Sequence, residues 1–195
     1  MDFDFKKDIL LENSRALLRP LAISDFDNLI AVALEDKNLL QYSPKPIHSE
    51  ELLKQYLDNA VAERKNNNRY PFIIFDKQAN GYVGSTSFGN VSNIDKRIEI
   101  GWTWLGKEFQ KTGLNRNCKF LLLSYAFDEL EFERVELKTD ERNQQSRTAI
   151  EKLGATYEGA LRSHMVVGDG FRRNTVYYSI LRNEWGKMKG NFLKA

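Results

Sequence analysis

The chain has 195 residues, 42% of them hydrophobic and 29% charged, a length and balance typical of one folded domain with a hydrophobic core. Its formal net charge of +2 is too small to indicate a protein that binds nucleic acid or an anionic membrane. The single cysteine, Cys118, excludes an internal disulfide, and no apolar run approaches the roughly 18 residues of a membrane span. Residues 1–7 are too polar for a signal peptide, so we predict a cytoplasmic protein.

The sequence contains no internal repeat, no low-complexity tract and no linker rich in Pro, Gly or Ser, so a single domain is the simplest arrangement. We place this domain at residues 15–185. Residues 1–14 are expected to form a loosely attached N-terminal lead-in, and residues 186–195 are expected to form a C-terminal tail.

The first part of the domain is predicted to form a short strand and two helices. The strand covers residues 15–21, and apolar residues then recur at helical spacing behind Ser24 and again behind Ser49. Both serines are suited to cap a helix N-terminus. Residues 42–46 include two prolines, which disfavour helix before them and predict a loop between the two helices. Three asparagines at 66–68 are expected to end the second helix.

Three consecutive strands are predicted next, at residues 72–75, 82–88 and 97–104, with a turn signal at Asn80-Gly81 before the second. The third strand shows the alternation of a half-buried strand. We therefore expect one of its faces to carry Ile98, Ile100, Trp102 and Trp104, and the other to carry Arg97, Glu99, Gly101 and Thr103.

The C-terminal half is predicted to mix helices and strands. The expected order is a largely buried helix at 113–130, a strand at 133–139, a helix at 143–153, and strands at 157–167 and 174–181. The strand–helix–strand part at 97–139 suits a parallel pair of strands, whereas the other connections suit hairpins. The predicted fold class is a mixed α/β (α+β) single domain.

The loop at residues 110–115 lies between a predicted strand and the buried helix. The N-terminus of a helix presents backbone N–H groups and the positive end of the helix dipole, so it can bind an anion. Gly113 would let the backbone approach a phosphate closely, and Lys111 adds positive charge. The alternative is that the glycine only eases a tight turn into the helix.

With the order of elements around it, this loop resembles the signature of the GNAT superfamily (Gcn5-related N-acetyltransferases), Gln/Arg-x-x-Gly-x-Gly/Ala after a strand. Gln110 and Gly113 match in register, and Asn115 stands where the family has a small residue. The resemblance implies a mixed, mostly antiparallel sheet of about six to seven strands with about four helices, and acetyl-CoA as co-substrate. It assigns the CoA pyrophosphate to the backbone of Gln110, Lys111, Thr112, Gly113, Leu114 and Asn115.

A second block, Asn143-Gln144-Gln145-Ser146, followed by residues 149–155, resembles the family's Asn-x-x-Ser…Glu-Lys-x-Gly segment. Asn143 is suited to cap this helix, and Ser146 shares the inward face of Ile150. An inward hydroxyl needs a partner, and its own first helical turn is one interpretation. The resemblance implies instead that Asn143 and Ser146 lie at the CoA site and that Ser146 stabilises the departing thiolate. Many family members have a general-acid tyrosine where this chain has Ile150.

Glu99 lies within a predicted strand, where a carboxylate is costly unless it is paired or functional. One interpretation is an exposed glutamate paired with Arg97 or Lys96. The resemblance implies a general base, because only a neutral amine attacks a thioester and primary amines are mostly protonated at neutral pH. It also implies that the strand splays near Gly101. The backbone groups that would bind the pantetheine belong to Trp102, Thr103 and Trp104.

Within the superfamily, residues 15–185 resemble the branch that contains the ribosomal-protein-alanine and ribosomal-protein-serine N-acetyltransferases. The predicted acceptor is therefore a primary amine, on a peptide or on a small molecule, and residues 42–46 are expected either to line its pocket or to form only a rigid loop. No metal, nucleic acid or membrane partner is expected, and a homodimer is left open. The alternative function is a module of the same fold that binds acyl-CoA without turnover.

Overall fold

The computed structural model describes residues 1–192, which form eight β-strands and five α-helices. The strands are β1 (Leu11–Glu12), β2 (Ala16–Pro20), β3 (Arg69–Asp76), β4 (Gly81–Ser92), β5 (Arg97–Leu105), β6 (Arg134–Asp140), β7 (Thr156–Val166) and β8 (Arg172–Leu181). The helices are α1 (Phe26–Leu34), α2 (Glu50–Lys65), α3 (Leu114–Ser124), α4 (Gln144–Lys152) and α5 (Arg182–Phe192). Over the part of the chain that is described, no helix is both long and apolar enough to cross a membrane.

All eight strands belong to one sheet, in the order β1-β2-β3-β4-β5-β6-β8-β7. Every neighbouring pair is antiparallel except β5 and β6, which run parallel and are connected through α3. A parallel pair requires such a crossover connection. The predicted mixed, mostly antiparallel sheet and the parallel unit at 97–139 are confirmed, with slightly more strands than expected.

Helices cover both faces of the sheet and bury two apolar clusters. The larger cluster joins Ile98 and Ile100 of β5 to Leu122 of α3, and it extends to α4 and α5; we call this side the α3 face. The smaller cluster joins Trp104 of β5 to Leu57 of α2 and to α1, and we call this side the α1–α2 face. Because side chains alternate along a strand, each residue of β5 is assigned to one of these faces by its neighbours.

The N-terminal segment is part of the core, so the expectation of a loosely attached lead-in was wrong. Phe3 and Ile9 are only 4% and 3% exposed, and Leu11 of β1 pairs with Leu18 of β2. The Ile9 N–H donates to the Tyr70 hydroxyl at 2.8 Å, and Phe3 packs edge-on against the Tyr70 ring. A few apolar residues in a polar segment have no periodicity, so the sequence gives no sign of this docking.

Helix α5 begins directly after β8 and reaches into the segment predicted as a tail. Trp185 on this helix is 3% exposed, and its ring lies 5.9 Å from that of Phe120 and 5.8 Å from that of Phe127. The helix therefore covers part of the α3 face. Residues 193–195 of the predicted tail lie outside the described residues.

Of the two predicted serine caps, one is confirmed and one is wrong. Ser49 caps α2, because its side chain accepts the N–H of Leu52 at 3.2 Å, and α2 ends before the asparagines at 66–68 as expected. Ser24 does not cap α1, because a 3₁₀ turn ending at Asp25 precedes that helix. Asp25 instead pairs with Arg19 at 2.6 Å, a contact between turn and strand that local sequence rules do not address.

A β-bulge in the middle of β5 changes which face its side chains occupy. Between the pairs Ser85–Trp104 and Ser87–Gly101, strand β4 contributes one residue and β5 contributes two, Trp102 and Thr103. Trp102 has a φ of 50°, which is the left-handed conformation. The predicted strict alternation was therefore wrong after Ile100. Trp102 and Trp104 lie on the α1–α2 face with Glu99, and Trp102 is 39% exposed rather than core.

Candidate active site

Strands β5 and β6 separate after a short parallel contact. Their pairing joins residues 97–99 to residues 134–136 and goes no further, while β5 stays paired with β4 and β6 with β8. We call the opening between residues 100–105 and residues 137–140 the β5–β6 cleft. The backbone groups of β5 that face this cleft have no strand partner there, so they are available to an extended ligand.

The loop at residues 110–115 leads from β5 into α3. Gly113 is the N-cap residue of α3 with a φ of 86° and has no side chain that could cap the helix, although Thr112 Oγ1 accepts the Leu114 N–H at a long 3.4 Å. A Cβ built on Gly113 would meet no atom within 4 Å, so the surface over the first helical turn is open. Lys111 and Thr112 are exposed beside it. A helix N-terminus with a bare glycine surface and a neighbouring lysine can bind an anion.

The side chains of Gln110 and Asn115 make contacts that the family signature does not predict. Gln110 donates through Nε2 to the Leu105 carbonyl at 3.0 Å, and its Oε1 accepts from Gln145 of α4 at 2.8 Å. It therefore links the two sides of the β5–β6 cleft. The amide oxygen of Asn115 is buried without a hydrogen-bond partner among residues 1–192. Such a group costs about 1–3 kcal/mol, consistent with a position that suits a smaller residue.

Helix α4 begins on the other side of the cleft, after β6. Asn143 caps it as predicted, accepting the N–H of Ser146 at 3.0 Å. The Ser146 hydroxyl forms no hydrogen bond within residues 1–192, so the interpretation that it bonds its own first turn is not supported. Ile150, one turn further on, is 7% exposed in the core of the α3 face. The half-buried Ser146 hydroxyl is thus free to bond another group.

Glu99 is the last residue of β5 that pairs with β6, at the point where the cleft opens. It is 2% exposed, and its Oε2 accepts from Lys138 Nζ at 2.9 Å and from Asn90 Nδ2 at 2.6 Å. The interpretation of an exposed residue paired with its sequence neighbours is therefore wrong. A Cβ on Gly101 would lie 3.0 Å from Glu99 Oε1, so a larger residue at position 101 would crowd this carboxylate.

A rigid polar and aromatic network forms the α1–α2 side of the cleft next to Glu99. Arg69 is 4% exposed and donates to the Tyr56 hydroxyl at 2.8 Å and to Ser87 Oγ at 2.8 Å. Its guanidinium also lies 5.2 Å from the Trp102 ring. Trp104 donates through Nε1 to the same Tyr56 hydroxyl at 3.2 Å. Because these groups bond one another, the rings around the bulge are held in fixed positions.

The loop at residues 42–46 borders a cavity on the same face. The cavity has a volume of about 240 Å³ and is lined by Pro44, Lys45, Pro46, Leu52, Gln55, Tyr56 and Asn59. Tyr56 belongs both to this cavity and to the network beside the cleft. Arg173 of β8 donates to the Tyr42 carbonyl at 2.9 Å and so anchors the loop to the sheet. The cavity is a suitable entrance for an acceptor molecule.

Comparison with known proteins identifies the family of this site. A family model described as an acetyltransferase (GNAT) domain matches residues 15–156. The chain belongs to this family. The GNAT chain is 36% identical over 102 residues to YdaF of Bacillus subtilis, described as a candidate ribosomal N-acetyltransferase; the match spans 52% of this chain and 55% of YdaF. It is therefore an acyltransferase of the N-acetyltransferase class.

Solved structures of GNAT proteins have the same fold. A GCN5-related N-acetyltransferase from Brucella melitensis superimposes with a TM-score of 0.89 at 26% identity, over 96% of this chain and 85% of that one. An acetyltransferase candidate from T. thermophilus gives a TM-score of 0.86 at 30% identity, over 95% of each chain. The whole GNAT fold is thus present, including the strands that bound the cleft.

Sequence reasoning missed three polar groups around the GNAT cleft. Lys138 and Asn90 hold Glu99, and they come from β6 and β4, so only the pairing of distant strands reveals them. Lys119 of α3 is 5% exposed and lies 2.6 Å from Thr103 Oγ1. Burial lowers the pKa of Lys119 to about 8. A lone lysine within the otherwise apolar run at 118–123 was the available signal for this residue.

Proposed function

We propose that this GNAT protein transfers an acetyl group from acetyl-CoA to a primary amine by direct attack within a ternary complex. The observation that carries the proposal is the position of Glu99, a buried carboxylate at the point where β5 and β6 separate. On one side of that point lies the open N-terminus of α3, and on the other lies the cavity beside α2. A base between an anion site and an acceptor entrance is the arrangement that acetyl transfer requires.

The residues of the cleft have complementary tasks in this reaction. Acetyl-CoA supplies the acetyl group as an activated thioester. Amides of residues 110–115 bind its pyrophosphate, and Lys111 adds charge attraction. Glu99 takes a proton from the acceptor amine, directly or through a water, so that the neutral amine attacks. The Trp102 backbone N–H donates to the carbonyl oxygen of the thioester, where negative charge develops.

Ser146 acts on the leaving group. Its hydroxyl is half-buried in the first turn of α4 and forms no hydrogen bond within residues 1–192. We assign it the role of donating a hydrogen bond to the sulfur as the thiolate departs. Ile150 stands where many family members have a tyrosine, so this chain has Ser146 as the available donor there.

The experiment that tests the proposed function is release of free CoA thiol from acetyl-CoA with a panel of acceptors. The panel contains Ser- and Ala-starting peptides, polyamines, free amino acids and aminoglycosides. Cys118 is 0% exposed and burial raises the pKa of its thiol to about 12, so a thiol reagent will report CoA rather than protein. We expect turnover with one acceptor class. Tight acetyl-CoA binding without turnover on any class would indicate a non-catalytic module, and no binding would contradict the proposal.

We expect Ser146→Ala to lower kcat by about tenfold with little change in KM for acetyl-CoA, because one hydrogen bond to a charged group contributes about 1.5–3 kcal/mol. The loss should be smaller with a thioester whose leaving thiol has a low pKa, since such a thiolate needs less stabilisation. Ser124→Ala on α3 is a matched control, because it also removes a half-buried serine hydroxyl. Full kcat in Ser146→Ala would rule out the leaving-group role.

A further inference from the structure

Lys119 is a buried lysine whose charge is not neutralised by an ion pair. Its Nζ lies 2.6 Å from Thr103 Oγ1 and 3.4 Å from Thr86 Oγ1, and it forms no ion pair to a carboxylate within residues 1–192. Burying an ammonium group without a counter-charge is costly. This unfavourable buried charge lies directly beneath the bulge of β5, which is where the proposed reaction takes place.

The hydrogen bonds from Lys119 have a fixed direction. An ammonium group only donates, so Thr103 Oγ1 must accept from it, which leaves the Thr103 O–H free to donate. That hydroxyl donates to the Gly101 carbonyl oxygen at 3.3 Å. Thr86 Oγ1 lies 2.8 Å from Thr103 Oγ1, a contact that either hydroxyl can donate. We assign Thr86 as its donor, because the Thr86 hydroxyl has no other acceptor among residues 1–192 and the single Thr103 proton is then used for the Gly101 carbonyl. A chain of donors therefore runs from Lys119 through Thr103 to the Gly101 carbonyl.

The Gly101 carbonyl and the Trp102 N–H belong to the same peptide group. A hydrogen bond to a carbonyl polarises its peptide and strengthens the donor at the other end, and a charged first donor increases this effect. The same contacts hold the peptide in the bulged geometry, in which Trp102 has a φ of 50°. Such a conformation persists only when its surroundings fix it.

We propose that Lys119 is a positioning residue for acetyl transfer, which acts through the Thr103 hydroxyl to orient and polarise the Gly101–Trp102 peptide group. This inference rests on the proposed function, in which the Trp102 N–H donates to the thioester carbonyl. Lys119 does not itself touch the substrate, because it lies on the α3 face behind β5. Lys119 strengthens and orients the Trp102 N–H. This donor matters most in the transition state, when negative charge develops on the thioester oxygen.

The surroundings of Lys119 make its charge sensitive to pH in a useful range. Strands β4 and β5 present the non-titrating hydroxyls of Thr86 and Thr103, and on α3 the neighbouring Cys118 thiol is neutral because burial raises its pKa to about 12. The ion pair of Arg15, just before β2, with Asp76 of β3 faces Cys118. Its two charges shift the pKa of the Cys118 thiol in opposite directions, Asp76 upward and Arg15 downward. Burial lowers the pKa of Lys119 to about 8, so the ammonium is present below that pH and is lost above it.

The test is infrared difference spectroscopy of acetyl-CoA carrying ¹³C in the thioester carbonyl, bound to the intact protein. Polarisation lowers the carbonyl stretching frequency, and this readout needs no acceptor. We expect the wild-type protein to lower the frequency, and Lys119→Met and Thr103→Val to lose most of that shift. Thr86→Val should keep it, because Thr86 does not bond the Gly101 carbonyl. The wild-type shift should shrink as pH rises through the pKa of Lys119, whereas Lys119→Met should show no such change.

Turnover gives a second readout once an acceptor is known. We expect Lys119→Met to lower kcat by about tenfold with KM for acetyl-CoA unchanged, less than the roughly hundredfold loss that follows removal of a whole oxyanion donor. If Lys119→Met fails to fold, Thr103→Val alone decides the question. A folded variant that binds acetyl-CoA with the wild-type carbonyl frequency would overturn the role of Lys119 and leave the proposed function intact. Failure of the wild-type protein to bind acetyl-CoA would overturn both.

Discussion

Glu99→Gln should lower kcat by about a hundredfold, since a positioned general base contributes about 10²–10⁴-fold to such reactions. Glutamine keeps the size of the side chain and can still accept from Asn90, which bonds Glu99 at 2.6 Å. KM for acetyl-CoA should change little, because Glu99 faces the α1–α2 side rather than the loop at 110–115. The measurement is kcat at saturating acceptor, compared between Glu99→Gln and the wild-type protein.

The matched control for this variant is Glu136→Gln. Glu136 stands directly opposite Glu99 in the parallel register of β5 and β6, and it is also largely buried, but it pairs with Arg134. We expect its kcat to stay within about twofold of wild type, a difference of less than about 0.5 kcal/mol. A similar loss in both variants would point to damage of the strand contact rather than to loss of a base.

Lys138→Met separates the base role from a purely structural one. If Glu99 serves only as the counter-charge of Lys138, which lies 2.9 Å away, then removing either partner should give the same loss of kcat and of thermal stability. If Glu99 is the base, Lys138→Met should retain much more of kcat than Glu99→Gln does. Unchanged kcat in Glu99→Gln would remove Glu99 from the mechanism.

Local signals predicted most of the elements between residues 15 and 181. Apolar periodicity located α1 and α2, and the Ser49 cap and the asparagines at 66–68 marked the two ends of α2. The glycine at 113 was placed correctly at the entry to α3. These features depend on a few neighbouring residues, which is why they can be derived from one sequence.

The bulge in β5 could not be derived in the same way. The alternation rule assumes that each residue of one strand faces one residue of its neighbour. On that assumption, Trp102 was predicted to lie on the same face as Ile98 and Ile100. The extra residue appears only when β5 is paired with β4, where Thr86 faces both Trp102 and Thr103. One inserted residue exchanges the faces of all that follow. Glu99 precedes the bulge, so the extra residue does not change its face.

The hydrogen-bond and ion-pair partners of the functional side chains could not be predicted from the sequence either. Glu99 was singled out as a carboxylate in a strand, but the sequence suggested its neighbours Arg97 and Lys96 as partners. Arg97 pairs instead with Asp95 at 3.6 Å, and Lys96 with Asp2 at 2.9 Å. Contacts between distant strands are determined by tertiary structure, so the residue type was informative and the pairing was not.

Gly113→Ala should weaken acetyl-CoA binding by about tenfold to a hundredfold. A methyl group at this position would enter the open space above the first turn of α3, where no protein atom lies within 4 Å. It would hold the pyrophosphate away from the backbone N–H groups, and each hydrogen bond to a charged group contributes about 1.5–3 kcal/mol. Isothermal titration with acetyl-CoA measures the change directly, without an acceptor.

The difficulty with any substitution at Gly113 is its φ of 86°, which costs an L-residue roughly 1–2 kcal/mol of stability wherever it occurs. Gly170→Ala supplies the matched control, because Gly170 has a φ of 83° and the same open space, but lies in the β7–β8 turn. The two variants should lose similar thermal stability, so only a loss of affinity confined to Gly113→Ala locates the pyrophosphate. Equal affinity in both would move the anion site away from α3, because a bound phosphate cannot share the space of the added methyl group.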